Sequence, residues 1–180
     1  FRVTTAAGCE VGLDGVIGTS TLTQNGIFTT DAQGEIRITN LAPGAYVLTE
    51  IKAPAGYVMD SPSTNVVIGA NGDTQTVIVT NTKKGGLIIE KYDSVTKQPL
   101  RGAQFKITTA SGELVPDNEG LTSSKGRYTT NDMGEIRLTV TGTVVVKEVT
   151  PCPGYVIDTT TQIQTVKVNP ADTQTLVFYN

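Results

Sequence analysis

The second half of this chain repeats the first, motif for motif. Phe1-Arg2-Val3-Thr4-Thr5 returns as Phe105-Lys106-Ile107-Thr108-Thr109. Phe28-Thr29-Thr30 leads to Gly34-Glu35-Ile36-Arg37, and Tyr128-Thr129-Thr130 leads to Gly134-Glu135-Ile136-Arg137. Glu50 precedes Gly56-Tyr57-Val58, as Glu148 precedes Gly154-Tyr155-Val156. Asp73-Thr74-Gln75-Thr76 runs on to Asn81, and Asp172-Thr173-Gln174-Thr175 to Asn180. Self-similarity in one fixed order means two copies of one folding unit. We assign them to residues 1–82 and 83–180, joined near Thr82-Lys83-Lys84-Gly85-Gly86. The copies are not equally complete. The second opens with a strand-like segment, Leu87 to Asp93, and a turn into Leu100-Arg101-Gly102-Ala103. The first opens directly at Phe1, so it is expected to lack its N-terminal strand, as if the chain began inside a longer domain.

Each copy reads as all-β. Short alternating stretches (Ile36 to Ile38, Ala45 to Glu50, Val77 to Asn81, Val144 to Glu148, Leu176 to Asn180) are separated by Ala42-Pro43-Gly44, Ala53-Pro54-Ala55-Gly56, Asn71-Gly72-Asp73 and Pro151-Cys152-Pro153-Gly154. Strands at this spacing, in copies of roughly 80 to 100 residues, imply two tandem small Ig-like β-sandwiches. No segment holds a 3.6-residue apolar period, so little helix is expected. No apolar run approaches the roughly 20 residues of a membrane-spanning helix.

Composition removes several functions. With no His, a Ser-His-Asp site, a His-ligated metal and an imidazole base are all excluded. A net charge of -3 argues against a nucleic-acid surface, which needs clustered Lys and Arg. Two cysteines cannot build a four-thiolate zinc site. Cys9 and Cys152 read as unpaired thiols, although spacing alone does not decide whether they pair. Asp31, Asp73, Asn131-Asp132 and Asp172 lack calcium-loop spacing and read as turn formers. Tyr57 and Tyr155 read as packing residues. Neither a metal nor a cofactor is expected.

Strand phase singles out three polar residues. Alternate side chains of a strand face the same way. If Leu87 and Ile89 point inward, so does Lys91. Val144 and Val146 share a face with Glu148, and Leu176 and Phe178 with Asn180. In the first copy, Tyr46 and Leu48 are in phase with Glu50, and Val77 and Val79 with Asn81. A charge buried alone is costly, so it finds a partner or becomes neutral. An apolar site lowers a Lys pKa and raises a Glu pKa. A neutral amine is a nucleophile, and a carboxylic acid can activate a carboxamide and relay protons. If the three groups meet, an amide between the Lys and Asn side chains can form with loss of ammonia. The other readings are an ordinary buried hydrogen-bonded cluster, or a Lys whose amine reaches water.

These residues carry a resemblance. Leu87-Ile88-Ile89-Glu90-Lys91-Tyr92-Asp93, Pro99-Leu100-Arg101-Gly102-Ala103-Gln104-Phe105, Tyr128-Thr129-Thr130 through Gly134-Glu135-Ile136, Glu148 ahead of Pro153-Gly154-Tyr155, and the final Asn180 together resemble Cna protein B-type domains. These are prealbumin-like sandwich repeats of Gram-positive surface adhesins and pilins. The first copy resembles them through Leu41-Ala42-Pro43-Gly44-Ala45-Tyr46 and Glu50-Ile51-Lys52-Ala53-Pro54-Ala55-Gly56-Tyr57. The resemblance implies an intramolecular isopeptide bond between Lys91 and Asn180, with Glu148 as the catalytic acid. The first copy keeps Glu50 and Asn81 but has no matching Lys, because Lys52, Lys83 and Lys84 lie outside the required strand. Asn81 is therefore expected to stay unlinked within this chain, its lysine belonging either to a missing segment or to another molecule.

The function this implies is structural: a stalk or shaft repeat of a bacterial cell-surface adhesin or pilus, extracellular and anchored to the cell wall through regions outside this chain. Its partners would be tandem repeats of the same protein and, through neighbouring domains, a host surface or matrix protein. The alternative is a ligand-binding adhesin module using the loops Gly8 to Gly26 and Glu113 to Gly126. An enzyme acting on an external substrate is not expected; the self-cross-link turns over once.

Overall fold

The computed structural model describes residues 1–18, 26–70, 72–116 and 126–180, which form twelve β-strands and no helix. No described helix is long and apolar enough to cross a membrane. The chain divides into two compact units, Phe1–Asn81 and Thr82–Asn180. Each is a small β-sandwich of the prealbumin type. The two loops considered for ligand binding include residues 19–25 and 117–125, which lie outside the described residues.

The first unit contains β1 (Arg2–Thr5), β2 (Gly44–Thr49), β3 (Tyr57–Met59), β4 (Ser63–Ile68) and the start of β5 (Asn81–Lys83). β2 lies between β1 and β4 and is antiparallel to both, with Val3 opposite Leu48 and Tyr46 opposite Val66. This register puts Val3 and Tyr46 into a core with Val11 and Phe28. The Tyr46 hydroxyl, buried with its ring, donates to the Ala42 carbonyl at 2.7 Å.

The second unit contains β6 (Gly86–Tyr92), β7 (Gln104–Thr109), β8 (Arg127–Thr129), β9 (Glu135–Thr139), β10 (Gly142–Thr150), β11 (Ile163–Val168) and β12 (Thr173–Tyr179). They form two sheets, β11-β10-β7-β8 and β12-β6-β9. Their inner faces meet in a core that includes Leu87, Ile89, Phe105, Ile107, Val146 and Phe178. Phe105 of β7 meets Phe178 of β12 edge to face, ring centroids 4.8 Å apart. β6 is the central strand of its sheet, antiparallel to β9 and parallel to β12. The parallel pairing sets the first and last strands of the unit side by side.

Two stretches read as strands are not strands in the first unit: Ile36 to Ile38 has no ladder, and of Val77 to Asn81 only Asn81 enters one, at the start of β5. Their counterparts in the second unit are β9 and β12, and both pair with β6. Among the described residues of the first unit no strand corresponds to β6. The alternating pattern is present in both copies, but backbone N–H and C=O groups need a neighbour to form a ladder. The turns before these segments are alike in both units. Asp31 accepts from the backbone of Gln33 and Glu35, and Asn131 from Met133 and Glu135. Cys9 and Cys152 are both free thiols, the first exposed and the second buried.

Candidate functional site

In the second unit Lys91, Glu148 and Asn180 meet under the sheets. β6 alternates strictly, so Lys91 follows Leu87 and Ile89 inward, and all three are 0% exposed. The lysine does not snorkel. Its backbone is clamped on both sides: its N–H donates to Gly134 O, and its carbonyl accepts from Leu100 N, each at 2.8 Å. Gly134 has φ +71°, and a Cβ there would stand 2.5 Å from the Lys91 carbonyl oxygen, so only glycine allows the approach.

Glu148 follows Val144 and Val146 into the core along β10 and is 1% exposed. A register shift between Glu148 and Thr150 marks a bulge in β10 just past it. Its backbone N–H donates to Gln162 O, and the Gln162 side chain donates back to its carbonyl, both at 2.9 Å. Asn180 lies one residue past β12. Its backbone N–H donates to Tyr92 O at 3.1 Å, and its carbonyl accepts from Ser94 N at 2.7 Å. The parallel ladder thereby fixes Asn180 against the strand that carries Lys91.

The side chains close a triangle. Lys91 Nζ donates to Glu148 Oε2 at 3.0 Å and to Asn180 Oδ1 at 2.5 Å, and Asn180 Nδ2 donates to Glu148 Oε1 at 2.9 Å. One carboxyl thus touches the amine through one oxygen and the carboxamide nitrogen through the other. Burial pushes the Lys91 ammonium below the ordinary lysine value of 10.5, and the hydrogen bond and charge of Glu148 pull it partly back. This arrangement suits proton exchange between amine, carboxyl and amide, with the amine and the carboxyl both buried. Among the described residues no cluster of His, Cys, Asp and Glu could hold a metal ion.

In the first unit Glu50 and Asn81 also meet. Glu50 is 4% exposed, and Asn81 Nδ2 donates to Glu50 Oε1 at 3.0 Å, the counterpart of the Asn180–Glu148 bond. The other oxygen of each, Glu50 Oε2 and Asn81 Oδ1, is buried and has no hydrogen-bond partner. In the second unit the matching oxygens are the two that accept from Lys91. Lys52 and Lys83 are exposed.

Three supporting residues escaped the sequence reading. The buried Thr130 hydroxyl donates to Leu100 O at 2.8 Å and accepts from Ala103 N at 3.0 Å, tying down the segment that clamps Lys91. Tyr155 packs on the core as expected, but its hydroxyl also donates to Asp93 Oδ2 at 2.8 Å. Backbone N–H groups of Thr96 and Val95, with the Tyr155 hydroxyl, hold the Asp93 carboxyl at about 2. Gly134, quoted only as part of a repeated motif, is the third. Its recurrence as Gly34 was the available signal, but the need for glycine depends on a neighbour that sequence does not show.

A family model described as SpaA, prealbumin-like fold domain, matches the chain twice, over residues 3–83 and 85–180. Among solved structures, a streptococcal ancillary pilin is similar, with 26% identity, a TM-score of 0.53, and coverage of 99% of this chain and 55% of that one. The Bacillus anthracis TIE protein matches at 25% identity and TM-score 0.47, over 84% of this chain and 27% of that one. GBS52, the minor pilin of Streptococcus agalactiae, matches at 21% and 0.44, over 84% and 65%. The chain thus spans less than two thirds of each of these. None of the curated protein sequences matches it significantly.

Proposed function

Because this chain belongs to the SpaA prealbumin-like fold domain family, we propose that it is a structural repeat of a Gram-positive cell-surface pilin or adhesin. In this reading the second unit locks itself with an isopeptide bond between Lys91 and Asn180. The match over 99% of this chain to a streptococcal ancillary pilin, of which it covers 55%, supports the pilin class. The cross-link rests on one observation, the closed triangle that buried Lys91 and Glu148 make with half-buried Asn180.

The chemistry follows from the contacts. In the dry pocket the Lys91 ammonium passes a proton to Glu148 Oε2, which leaves a neutral amine and a carboxylic acid. The amine lone pair attacks Asn180 Cγ. Glu148 donates its proton to Nδ2 and takes one from Nζ. The Cγ–Nδ2 bond breaks and ammonia leaves. The products are a secondary amide, ammonia and a regenerated carboxyl, so atoms and protons balance. Backbone bonds on Lys91 and Asn180 hold the reacting groups together, which replaces a bimolecular encounter with a positioned one.

Mechanically, the bond joins the first strand of the unit to the residue after the last. Tension entering at β6 and leaving at Asn180 would cross from Lys91 to Asn180 and bypass residues 92–179. Closing a loop of this size also removes unfolded-state entropy worth roughly 4–5 kcal/mol by analogy with a disulfide. An extracellular stalk gains a covalent tie without using cysteine. The test is intact mass under denaturing conditions. The chain should weigh one ammonia less than its sequence, and the Lys91→Ala and Glu148→Ala variants should keep the full mass. A wild-type chain at full sequence mass would overturn the reading.

A further inference from the structure

Asn180 lies just past β12 and is only half-buried, so its place beside Lys91 depends on its backbone. Two bonds hold it there. Its N–H donates to Tyr92 O, which continues the β6 ladder, and its carbonyl accepts from Ser94 N, which belongs to the turn 93–98. That turn leans on one side chain. Asp93 Oδ1 accepts from the N–H groups of Val95 and Thr96, both at 2.7 Å. The Asp93 backbone closes the turn, its carbonyl accepting from Lys97 N and its N–H donating to Gln98 O. Lys97 has φ +60°, a left-handed conformation that a residue with a Cβ adopts at a cost, so the turn needs the Asp93 bonds to persist. The same turn grips the end of β12 a second time. Lys97 Nζ donates to Ser94 O and lies 4.4 Å from the centre of the ring of Tyr179, the neighbour of Asn180.

The other carboxylate oxygen of Asp93 faces a different segment. Oδ2 accepts from the hydroxyl of Tyr155, which stands on the loop that leaves β10 after Glu148. One carboxylate therefore joins the segments that follow Lys91 and Glu148 and, through Ser94, seats Asn180. We propose that Asp93 is a positioning residue for the reaction of Lys91 with Asn180: its turn seats the carboxamide against β6, and its bond to Tyr155 ties that seat to the Glu148 loop. The inference rests on the cross-link proposed for the second unit. The Asp93 side chain bonds to none of the three reacting groups, so it acts through the backbone of Asn180. A displacement of about 1 Å between reacting atoms can cost on the order of a hundredfold in rate, which makes such a seat matter to the chemistry.

The experiment starts from the full 180-residue chain, recovered unfolded from inclusion bodies at full sequence mass, and dilutes it out of denaturant. Acid-quenched aliquots weighed under denaturing conditions give the rate of ammonia loss. Pulsed hydrogen exchange over β10 and β11 gives the rate of folding in the same mixture. Asp93→Ala should lose ammonia about tenfold to a hundredfold more slowly than wild type once β10 and β11 are protected. Asp93→Asn keeps an acceptor for the same two N–H groups, as Asn131 does in its own turn, and should recover most of the rate. Tyr155→Phe removes only the hydroxyl and should slow the reaction by about threefold. Ammonia loss that slows only in step with folding makes Asp93 a structural residue and overturns the inference. Asp93→Asn as slow as Asp93→Ala also overturns it, because charge rather than the turn would then be at work. Should Asp93→Ala fail to fold, Tyr155→Phe decides, and a rate equal to wild type overturns the inference. A wild-type chain that folds and keeps its full mass overturns the cross-link itself and this inference with it, whereas a wild type no faster than Asp93→Ala overturns this inference alone.

Discussion

The two units share a sequence plan and differ by one strand, and the consequences reach well beyond that strand. In the second unit β6 gives β9 and β12 their ladders, buries Ile136, Leu138 and Phe178, and brings an amine to Glu148 and Asn180. In the first, the homologous segments keep their alternation and their turns but have no ladder, and the carboxyl and carboxamide each keep an unpartnered buried oxygen. A central strand is therefore a cooperative element. It satisfies two backbone edges, closes a core, and carries the reactive group.

The largest test separates the strand from its amine. Lys91→Ala keeps β6 but removes the nucleophile, so the cross-link cannot form. Loss of the cross-link should cost the second unit about 4–5 kcal/mol by the disulfide analogy. Unit-resolved hydrogen exchange should show this drop while β9 and β12 stay better protected than 35–39 and 73–80. If protection in the two units became equal, the amine rather than the strand would be the source of the difference.

Next is Glu148→Gln, which preserves shape but cannot relay the proton, so the chain should keep its full mass. Lys91 then stays buried as an amine with a pKa below 10.5. The folded state binds fewer protons than the unfolded state between that lowered pKa and 10.5, so the stability contributed by this site should rise with pH across the window. Comparing Glu148→Gln with Glu148→Gln/Lys91→Met in denaturant titrations at several pH values isolates the effect. A difference independent of pH would contradict the lowered lysine.

A smaller effect compares matched glycines. Gly134 and Gly34 have φ +71° and +80°, but an added Cβ meets the Lys91 carbonyl in one and nothing within 4 Å in the other. Gly34→Ala should cost about 1 kcal/mol from the left-handed backbone alone. Gly134→Ala should cost more, because backbone must move as well, and equal costs would mean that the clamp on Lys91 is soft. The smallest is Tyr155→Phe. It removes one of the hydrogen bonds that hold the Asp93 carboxyl at about 2, so its titration by NMR should move up toward 3.8. In the wild type, stability from this carboxylate is present above its unfolded pKa and is lost as pH falls toward 2.

The duplication, the all-β class and the inward phase of Lys91, Glu148 and Asn180 were legible because each is a local regularity: recurring motifs, period-two alternation, and Gly- and Pro-rich turns. The same reading marked Glu50 and Asn81 as a site without its lysine. It went astray at Ile36 to Ile38 and Val77 to Asn81, where alternation alone was taken for a strand. It also passed over Gly134, Thr130 and the Tyr155–Asp93 bond, whose roles depend on residues distant along the chain.

What the order of residues settled was therefore which side chains face inward and how often the unit repeats, since a strand's side-chain period is a property of its own backbone. What waited for the folded chain was whether those strands have neighbours and which polar atoms find partners. A ladder and a hydrogen-bonded triangle belong to segments far apart in sequence, and the parallel pairing of β6 with β12 puts the two ends of the second unit in contact.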